Sequence, residues 1–374
     1  MNFNKIQFIG VAMCTTPSGL NSIEETSDDG FYAGYSDQNE DIYARISFLK
    51  RSLSAITSSG SFDSDGTTLK IIVFPEFLMR GPKGAYPISV FLPYMSEILN
   101  LSGREDVLVV VGSILTAEME PSMNSDFYNT GNELLDIYYR LHGKEQGRMR
   151  LYNLLKSVDE GGLLKANYND DSFDDILVKT LDYSDSLAKQ IIDNRCYVVS
   201  KDFCHTILKQ HKSKEDFVLN TFDQYPIFLQ TTTKYAEISE DQDVNQSVFT
   251  YGGLRIGVEI CLDHKRKRLK DAGVSSLDVQ IIPSCGMTIW EDSVVVENGY
   301  VFNCDGEYVL KSPDQGVDGL NCHTSLRAVV KSELGNAMPV GFDDAITDGG
   351  LKGLYPNELY DVHYYPSMDI PPKS

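Results

Sequence analysis

Three short segments hold residues whose types, taken together, can do covalent chemistry. Ile71-Ile72-Val73-Phe74-Pro75-Glu76 is an apolar run ending in a carboxylate. Thr206-Ile207-Leu208-Lys209-Gln210-His211 is a second run ending in a cation, and Leu254 to Asp263 is a third that delivers the thiol of Cys261. A thiolate is a strong nucleophile, a carboxylate can move protons, and a fixed ammonium can stabilise an oxyanion. Each residue alone has an ordinary structural explanation. Glu76 reads equally as a cap, Lys209 as part of a solvated basic loop, and a strand cysteine as inert core. Cys261 differs because its strand runs straight into a possible helix start, where a thiol is exposed and helix N–H groups face it.

The elements that must position these residues follow from hydrophobic patterning. Short β-branched runs predict strands at Ile6–Cys14, Leu69–Phe74, Val107–Leu115, Cys196–Val199, Thr206–Leu208, Leu254–Ile260, Val279–Pro283 and Tyr300–Asn303. Many are continuously apolar, as expected of strands covered by helices. Asp41–Ser58 carries Ile42, Ile46, Leu49, Leu53 and Ile56 on one helical stripe. Ile88–Leu101 is a second helix, kinked or restarted at Pro93, and His264–Lys270 opens a third. Helices alternating with strands predict an α/β fold, with the carboxylate and the thiol just past strand ends, where α/β sites form.

Composition narrows the function class. The chain has 374 residues, enough for one large domain or two, with 42% hydrophobic residues to build a core. Its formal net charge of −21 argues against nucleic acid and anionic membrane surfaces, which need clustered Lys and Arg. No apolar run approaches the ~18 residues that span a bilayer, and the start reads as a first strand rather than a signal peptide. Seven cysteines at 14, 196, 204, 261, 285, 304 and 322, with no Cys-x-x-Cys pair, speak against a disulfide framework or a zinc site and favour a reducing cytoplasm.

In this order, Pro75-Glu76, Lys209-Gln210-His211 and Gly257-Val258-Glu259-Ile260-Cys261-Leu262-Asp263 resemble the signature of the nitrilase, or carbon–nitrogen hydrolase, superfamily. Val111-Gly112-Ser113 and Ile282-Pro283-Ser284 are accessory matches, and residues 209–217 are similar to the lysine loop of ureidopropionase-type members. The resemblance covers roughly residues 5–117 and 195–310. It implies a four-layer α-β-β-α sandwich forming a single domain over 1–374, with protomers pairing as a homodimer or higher homo-oligomer. It also implies a small amide or carbamoyl substrate, attack by Cys261, proton transfer by Glu76, and an oxyanion held by Lys209 with the N–H of Leu262. No metal or organic cofactor is required by that chemistry. A further acid after the lysine would be Glu215, with Asp216 as the alternative. Cys285 is a second thiol near the site, expected to line it rather than to attack. Leu262-Asp263 resembles amide- and carbamoyl-cleaving members more than nitrile-cleaving ones.

Two departures from that pattern stand out. Residues 118–194 form an expected insertion, with helices at Glu133–Ser157 and Phe173–Ile192, serving as a lid, a decoration or an oligomer contact. The run His264-Lys265-Arg266-Lys267-Arg268 is intensely basic on an acidic chain, and either attracts an anionic substrate or forms a solvated helix face. Residues 356–374, rich in Tyr and Pro, are an expected extended tail against a surface. Two alternatives remain. One is an inactive scaffold of the same fold binding through its insertion; the other is a Cys-His enzyme using His205, His211 or His264.

Overall fold

The computed structural model describes residues 3–13, 15, 35, 37–81, 85–119, 190–211, 218–220, 226–228, 244–307, 323–331, 333–337, 341–343 and 360–372. The first half runs β1 (Lys5–Met13), α1 (Gln38–Ser58), β2 (Thr68–Val73), β3 (Tyr86–Pro87), α2 (Ile88–Phe91), α3 (Met95–Leu99), β4 (Val107–Val110), β5 (Ile114–Met119), β6 (Gln190–Ser200) and β7 (Phe203–Leu208). A small hairpin follows, β8 (Val218–Asn220) with β9 (Pro226–Phe228), and then β10 (Val248–Tyr251), β11 (Leu254–Val258), α4 (Leu262–Lys265) and α5 (Arg268–Asp271). The chain continues through β12 (Leu277–Ser284), β13 (Val296–Asp305), β14 (His323–Val330), β15 (Glu333–Ala337), β16 (Gly341–Asp343), β17 (Tyr360–Tyr364) and β18 (Met368–Asp369).

Two large sheets result. One has the order β16-β17-β1-β2-β4-β6-β5-β3, with β18 on β1 and β7 on β6; the other is β10 through β15 in sequence order. The strands that lead to Glu76 and Cys261 lie among parallel neighbours, β1, β2 and β4 in the first sheet and β11, β12 and β13 in the second, whereas β7, which leads to Lys209, is antiparallel to β6. Parallel pairing brings their carboxyl ends to one edge, where their trailing residues meet.

The alternation of side chains along each strand sets the layers. Ile9, Val11, Ile72, Phe74, Val109 and Tyr197 pack with Ile42, Ile46, Leu49 and Ile56 of α1, and with Phe91 and Ile98. The opposite faces of the same strands, through Phe8, Ile71, Val73, Leu108 and Val198, pack against Ile256, Val258, Ile281 and Phe302 of the second sheet. Fully burying an aliphatic or Phe side chain of this kind contributes about 1.5–3 kcal/mol. The far side of the second sheet joins Leu277, Ile282, Val301 and Val329 to Leu269 of α5. The layers are therefore helix, sheet, sheet and helix, with the last layer thin on the described residues. Gly10 marks how close the sheets come: a Cβ there would collide with Thr324 and Phe302.

Several expectations change in detail. The helix predicted from Asp41 starts at Gln38, because Asp37 caps it by accepting from the N–H groups of Asn39 and Glu40. Pro93 sits in a 3-10 turn between α2 and α3, as its missing N–H requires. The predicted strand 107–115 is two strands, β4 and β5, separated by a break at Gly112. The helix predicted over 264–270 breaks into α4 and α5 at Lys267, which adopts a left-handed conformation with φ 57°.

The ends of the expected insertion are strand: β5 runs to Met119 and β6 begins at Gln190, paired antiparallel from Glu118↔Ile191 inwards. The last residues of the helix expected at Phe173–Ile192 are thus strand. The remainder of 118–194, including the helix expected at Glu133–Ser157, lies outside the described residues. The C-terminal tail does not merely lie on a surface. Its β17 and β18 pair with β1, and Val362 and Tyr364 are fully buried against α1.

Candidate functional site

Glu76 leaves the end of β2 into a fixed bend. Its neighbour Phe77 has φ 62°, a left-handed conformation that costs a non-glycine residue energy unless the surroundings hold it. They do hold it. The Phe77 N–H donates to Ser113 Oγ at 2.9 Å, and the Met79 N–H donates to the Ser113 carbonyl at 3.2 Å. Arg45 of α1, itself paired with Asp41 at 2.9 Å, donates to the Leu78 carbonyl at 2.5 Å. Gly112 makes the approach possible, because its φ is 72° and a Cβ would strike the Pro75 carbonyl. Val111-Gly112-Ser113 is therefore the seat on which the Glu76 loop rests.

Lys209 follows β7, and its ammonium donates to Glu76 Oε1 at 2.8 Å. Both side chains are fully buried. Asn194 completes the unit: its Nδ2 donates to the same Oε1 at 3.0 Å, while its carbonyl accepts the Lys209 N–H at 2.9 Å. The ring of Phe77 lies beneath the ammonium, 5.6 Å from Nζ to centroid. Asn194 was missed by sequence reasoning. It is a residue of β6, not the last residue of an insertion, and a lone amide side chain at a strand position leaves no local pattern.

Cys261 occupies the turn between β11 and α4 with φ 45° and ψ −105°, again a strained geometry for a residue with a Cβ. The turn is closed by backbone bonds from Asp263 to Ile260 at 3.0 Å and from His264 to Cys261 at 2.9 Å. Leu262 is the first residue of α4, so its N–H is one that the helix itself cannot satisfy. The thiol donates to the Cys285 carbonyl at 3.7 Å. Burial pushes the Cys261 thiol well above the ordinary range, the Glu76 carboxylate raises it further, and Lys209 opposes them without prevailing. The expected electrostatic help from Lys209 is present but is outweighed by burial and Glu76.

The lysine and cysteine motifs are joined by one buried side chain. Asp263 accepts from the Gln210 N–H at 3.1 Å, the His211 N–H at 2.7 Å and Arg268 Nη1 at 2.9 Å, with His211 Nδ1 at 3.0 Å. Arg268 also donates to the Leu208 carbonyl at 2.9 Å. Asp263, two residues past Cys261, thus fixes the backbone on both sides of Lys209, directly at Gln210 and His211 and through Arg268 at Leu208. Asp263→Asn is expected to leave Arg268 as a buried unpaired charge and to turn an N–H₂ toward N–H donors. A loss of about 3–5 kcal/mol in unfolding free energy should follow. Urea denaturation checks it, and an unchanged midpoint would remove the clamp from the account.

Of the basic run, His264 and Arg268 are buried, Lys265 lies over the Trp290 ring at 5.1 Å, and Lys267 reaches Asp292 at 3.4 Å. The run is therefore not solvated throughout: Lys265 and Arg266 are exposed, while His264 and Arg268 turn inward. The half-buried Cys285 side chain packs against Phe77, Ala85 and Leu115, and its carbonyl meets the Cys261 thiol. The loop that carries it is pinned by Asp305, which accepts from Ser284 Oγ at 2.6 Å, Gly286 N–H at 2.9 Å and Met287 N–H at 2.7 Å. Glu215 and Asp216 lie outside the described residues. Among the described residues no cluster of His, Cys, Asp or Glu could hold a metal, and no helix is long and apolar enough to cross a membrane.

No protein-family model and no curated protein sequence matches the chain. Solved structures of nitrilase-superfamily proteins do align with it. Nit3 of Saccharomyces cerevisiae, a member of branch 10 of the nitrilase superfamily, aligns at 13% identity over 98% of this chain and 90% of its own, with a TM-score of 0.43. A CN-hydrolase superfamily protein from Xanthomonas campestris aligns at 10% identity over 89% and 85%, with a TM-score of 0.41. The glutamine-dependent NAD+ synthetase of Acinetobacter baumannii aligns at 8% identity over 88% of this chain and 42% of its own, with a TM-score of 0.38.

Proposed function

We propose that the chain hydrolyses a non-peptide carbon–nitrogen bond of a small amide or carbamoyl compound through a thioester on Cys261. The single observation that carries this is the buried contact of Lys209 with Glu76, with both charges acting on a thiol in a strained strand-to-helix turn. A buried ion pair is a poor source of stability, because the cost of desolvating two charges offsets their attraction. A strained backbone likewise costs energy, and three such features in one place are explained by chemistry.

Because burial and the Glu76 carboxylate both raise the thiol, attack and proton transfer are coupled. As sulfur bonds to the carbonyl carbon, its proton passes to Glu76 and the carbonyl oxygen becomes an oxyanion. Lys209 and the Leu262 N–H stabilise that charge. The carbon–nitrogen bond then breaks as Glu76 returns the proton to the departing nitrogen. Water attacks the thioester, gives a proton to Glu76, and sulfur leaves to recover it as a thiol. The acyl group departs as an acid, with ammonia or an amine as co-product, and the chain works as a cytoplasmic homodimer or higher homo-oligomer.

The competing reading is an inactive scaffold of the same fold. Release of ammonia or amine from a panel of small amides, carbamoyl compounds and nitriles separates the two. The proposal expects turnover of an amide or carbamoyl member, abolished in Cys261→Ala. No release from any member of the panel by the full-length protein would favour the scaffold.

A further inference from the structure

Behind the nucleophile lies a buried polar network that the mechanism above does not use. Glu259, two residues before Cys261, accepts from His264 Nδ1 at 2.7 Å, Gln280 Nε2 at 2.7 Å and the Leu269 N–H at 2.9 Å. Glu259, His264 and Gln280 are all fully buried. The far nitrogen of the imidazole, Nε2, accepts the backbone N–H of Trp290 at 3.0 Å. An amide N–H can only donate, so Nε2 carries the lone pair and the ring proton sits on Nδ1, directed at Glu259. Gln280 extends the network by donating to the Ser293 carbonyl at 3.1 Å and accepting the Val295 N–H at 3.0 Å.

The segment gripped in this way, residues 285–290, starts beside the thiol and runs to the far face of the second sheet, where Ile289 packs. Its near end is Cys285, whose carbonyl accepts a hydrogen bond from the Cys261 thiol. Its middle includes Met287, which is buried in the same apolar cluster as Cys261. Asp305 pins the near end, and at the far end His264 holds the Trp290 backbone while Lys265 lies over its ring. His264 also closes the nucleophile turn through its own N–H. We propose that His264 is a positioning residue that fixes the 285–290 wall relative to Cys261, and so sets how large an acyl group the site accepts. This deepens the hydrolase reading and rests on it.

The tests separate the two ideas, because one set of readouts needs no turnover. His264→Asn keeps an N–H near the Nδ1 position for Glu259 but cannot reach Trp290, whereas His264→Gln places an amide near the Nε2 position. Trp290 is the chain's one tryptophan and is partly exposed, so its emission reports the wall directly. His264→Asn should red-shift that emission. Mapped alkylation of Cys261 by N-methyl-, N-ethyl- and N-phenylmaleimide should lose size discrimination by about threefold to tenfold, the worth of one buried hydrogen bond. With an active substrate series, KM should lose its dependence on acyl size by a similar factor while kcat for the smallest acyl group holds. His264→Gln should restore both. If His264→Asn does not fold, Trp290→Pro deletes the donated N–H, leaves the buried network intact, and should reproduce the maleimide result. Unchanged size discrimination in a folded H264N or W290P protein overturns the proposal, whether or not emission moves. Absence of turnover with the discrimination lost would instead count against the hydrolase reading alone.

Discussion

Glu76→Gln is expected to lower kcat by about 10²–10⁴ while making Cys261 easier to ionise. The two effects have opposite signs because Glu76 acts on the thiol in two ways. As a base it accepts the thiol proton during attack, and Gln cannot. As a fixed negative charge it raises the thiol, together with burial and against Lys209. Removing the charge leaves Lys209 opposed chiefly by burial, so the pH midpoint for iodoacetamide alkylation of Cys261 should move down. In the wild type that midpoint should lie above the ordinary thiol range, with the rate still rising at alkaline pH. A Gln variant that lost turnover with its alkylation midpoint unmoved, or moved up, would separate Glu76 from the thiol.

Lys209→Met should cost about 10²–10³ in kcat, the usual worth of one oxyanion donor, and should also weaken the fold. Both Lys209 and Glu76 are fully buried, so the Met variant takes the cationic partner from a carboxylate in the interior, to which the Asn194 amide still donates. Removing one partner of a buried pair typically costs about 3–5 kcal/mol. The alkylation midpoint should rise, because the one charge that favoured the thiolate has gone. The double variant Glu76→Gln with Lys209→Met replaces the ion pair by neutral groups of similar shape. It should be more stable than the sum of the single losses predicts, by a coupling of about 0.5–3 kcal/mol, while remaining inactive. Additive losses in urea denaturation would mean that the two side chains do not act as a pair.

Glu76 and Cys261 were legible because each follows a buried strand: Ile71–Phe74 is continuously apolar, and Leu254–Ile260 carries Leu254, Ile256, Val258 and Ile260 at every second position. The folded chain puts the charge pair of Glu76 and Lys209 in contact. What local pattern could not reveal is what crosses between elements. Asn194 touches Glu76 from 118 residues away. Asp263 looked like a mark of substrate class, yet its carboxylate is engaged by Gln210, His211 and Arg268. Its presence beside the cysteine therefore does not by itself argue for amide over nitrile. Val107 to Leu115 reads as one strand because all but its Gly112-Ser113 step is apolar. The left-handed glycine that breaks it was the available clue. Local pattern also could not show that two residues of the basic run, His264 and Arg268, turn inward to the buried carboxylates Glu259 and Asp263.

The most direct test is to trap the acyl-enzyme. Glu76→Gln removes the base that activates water but keeps the nucleophile, so a reactive ester or amide can still load the thiol and then stall. Intact-mass spectrometry after exposure to the substrate panel should show one acyl adduct, and peptide mapping should place it on Cys261. Cys261→Ala should show none with the same panel. An adduct on Cys285 or Cys204, or full turnover by Cys261→Ala, would contradict the account.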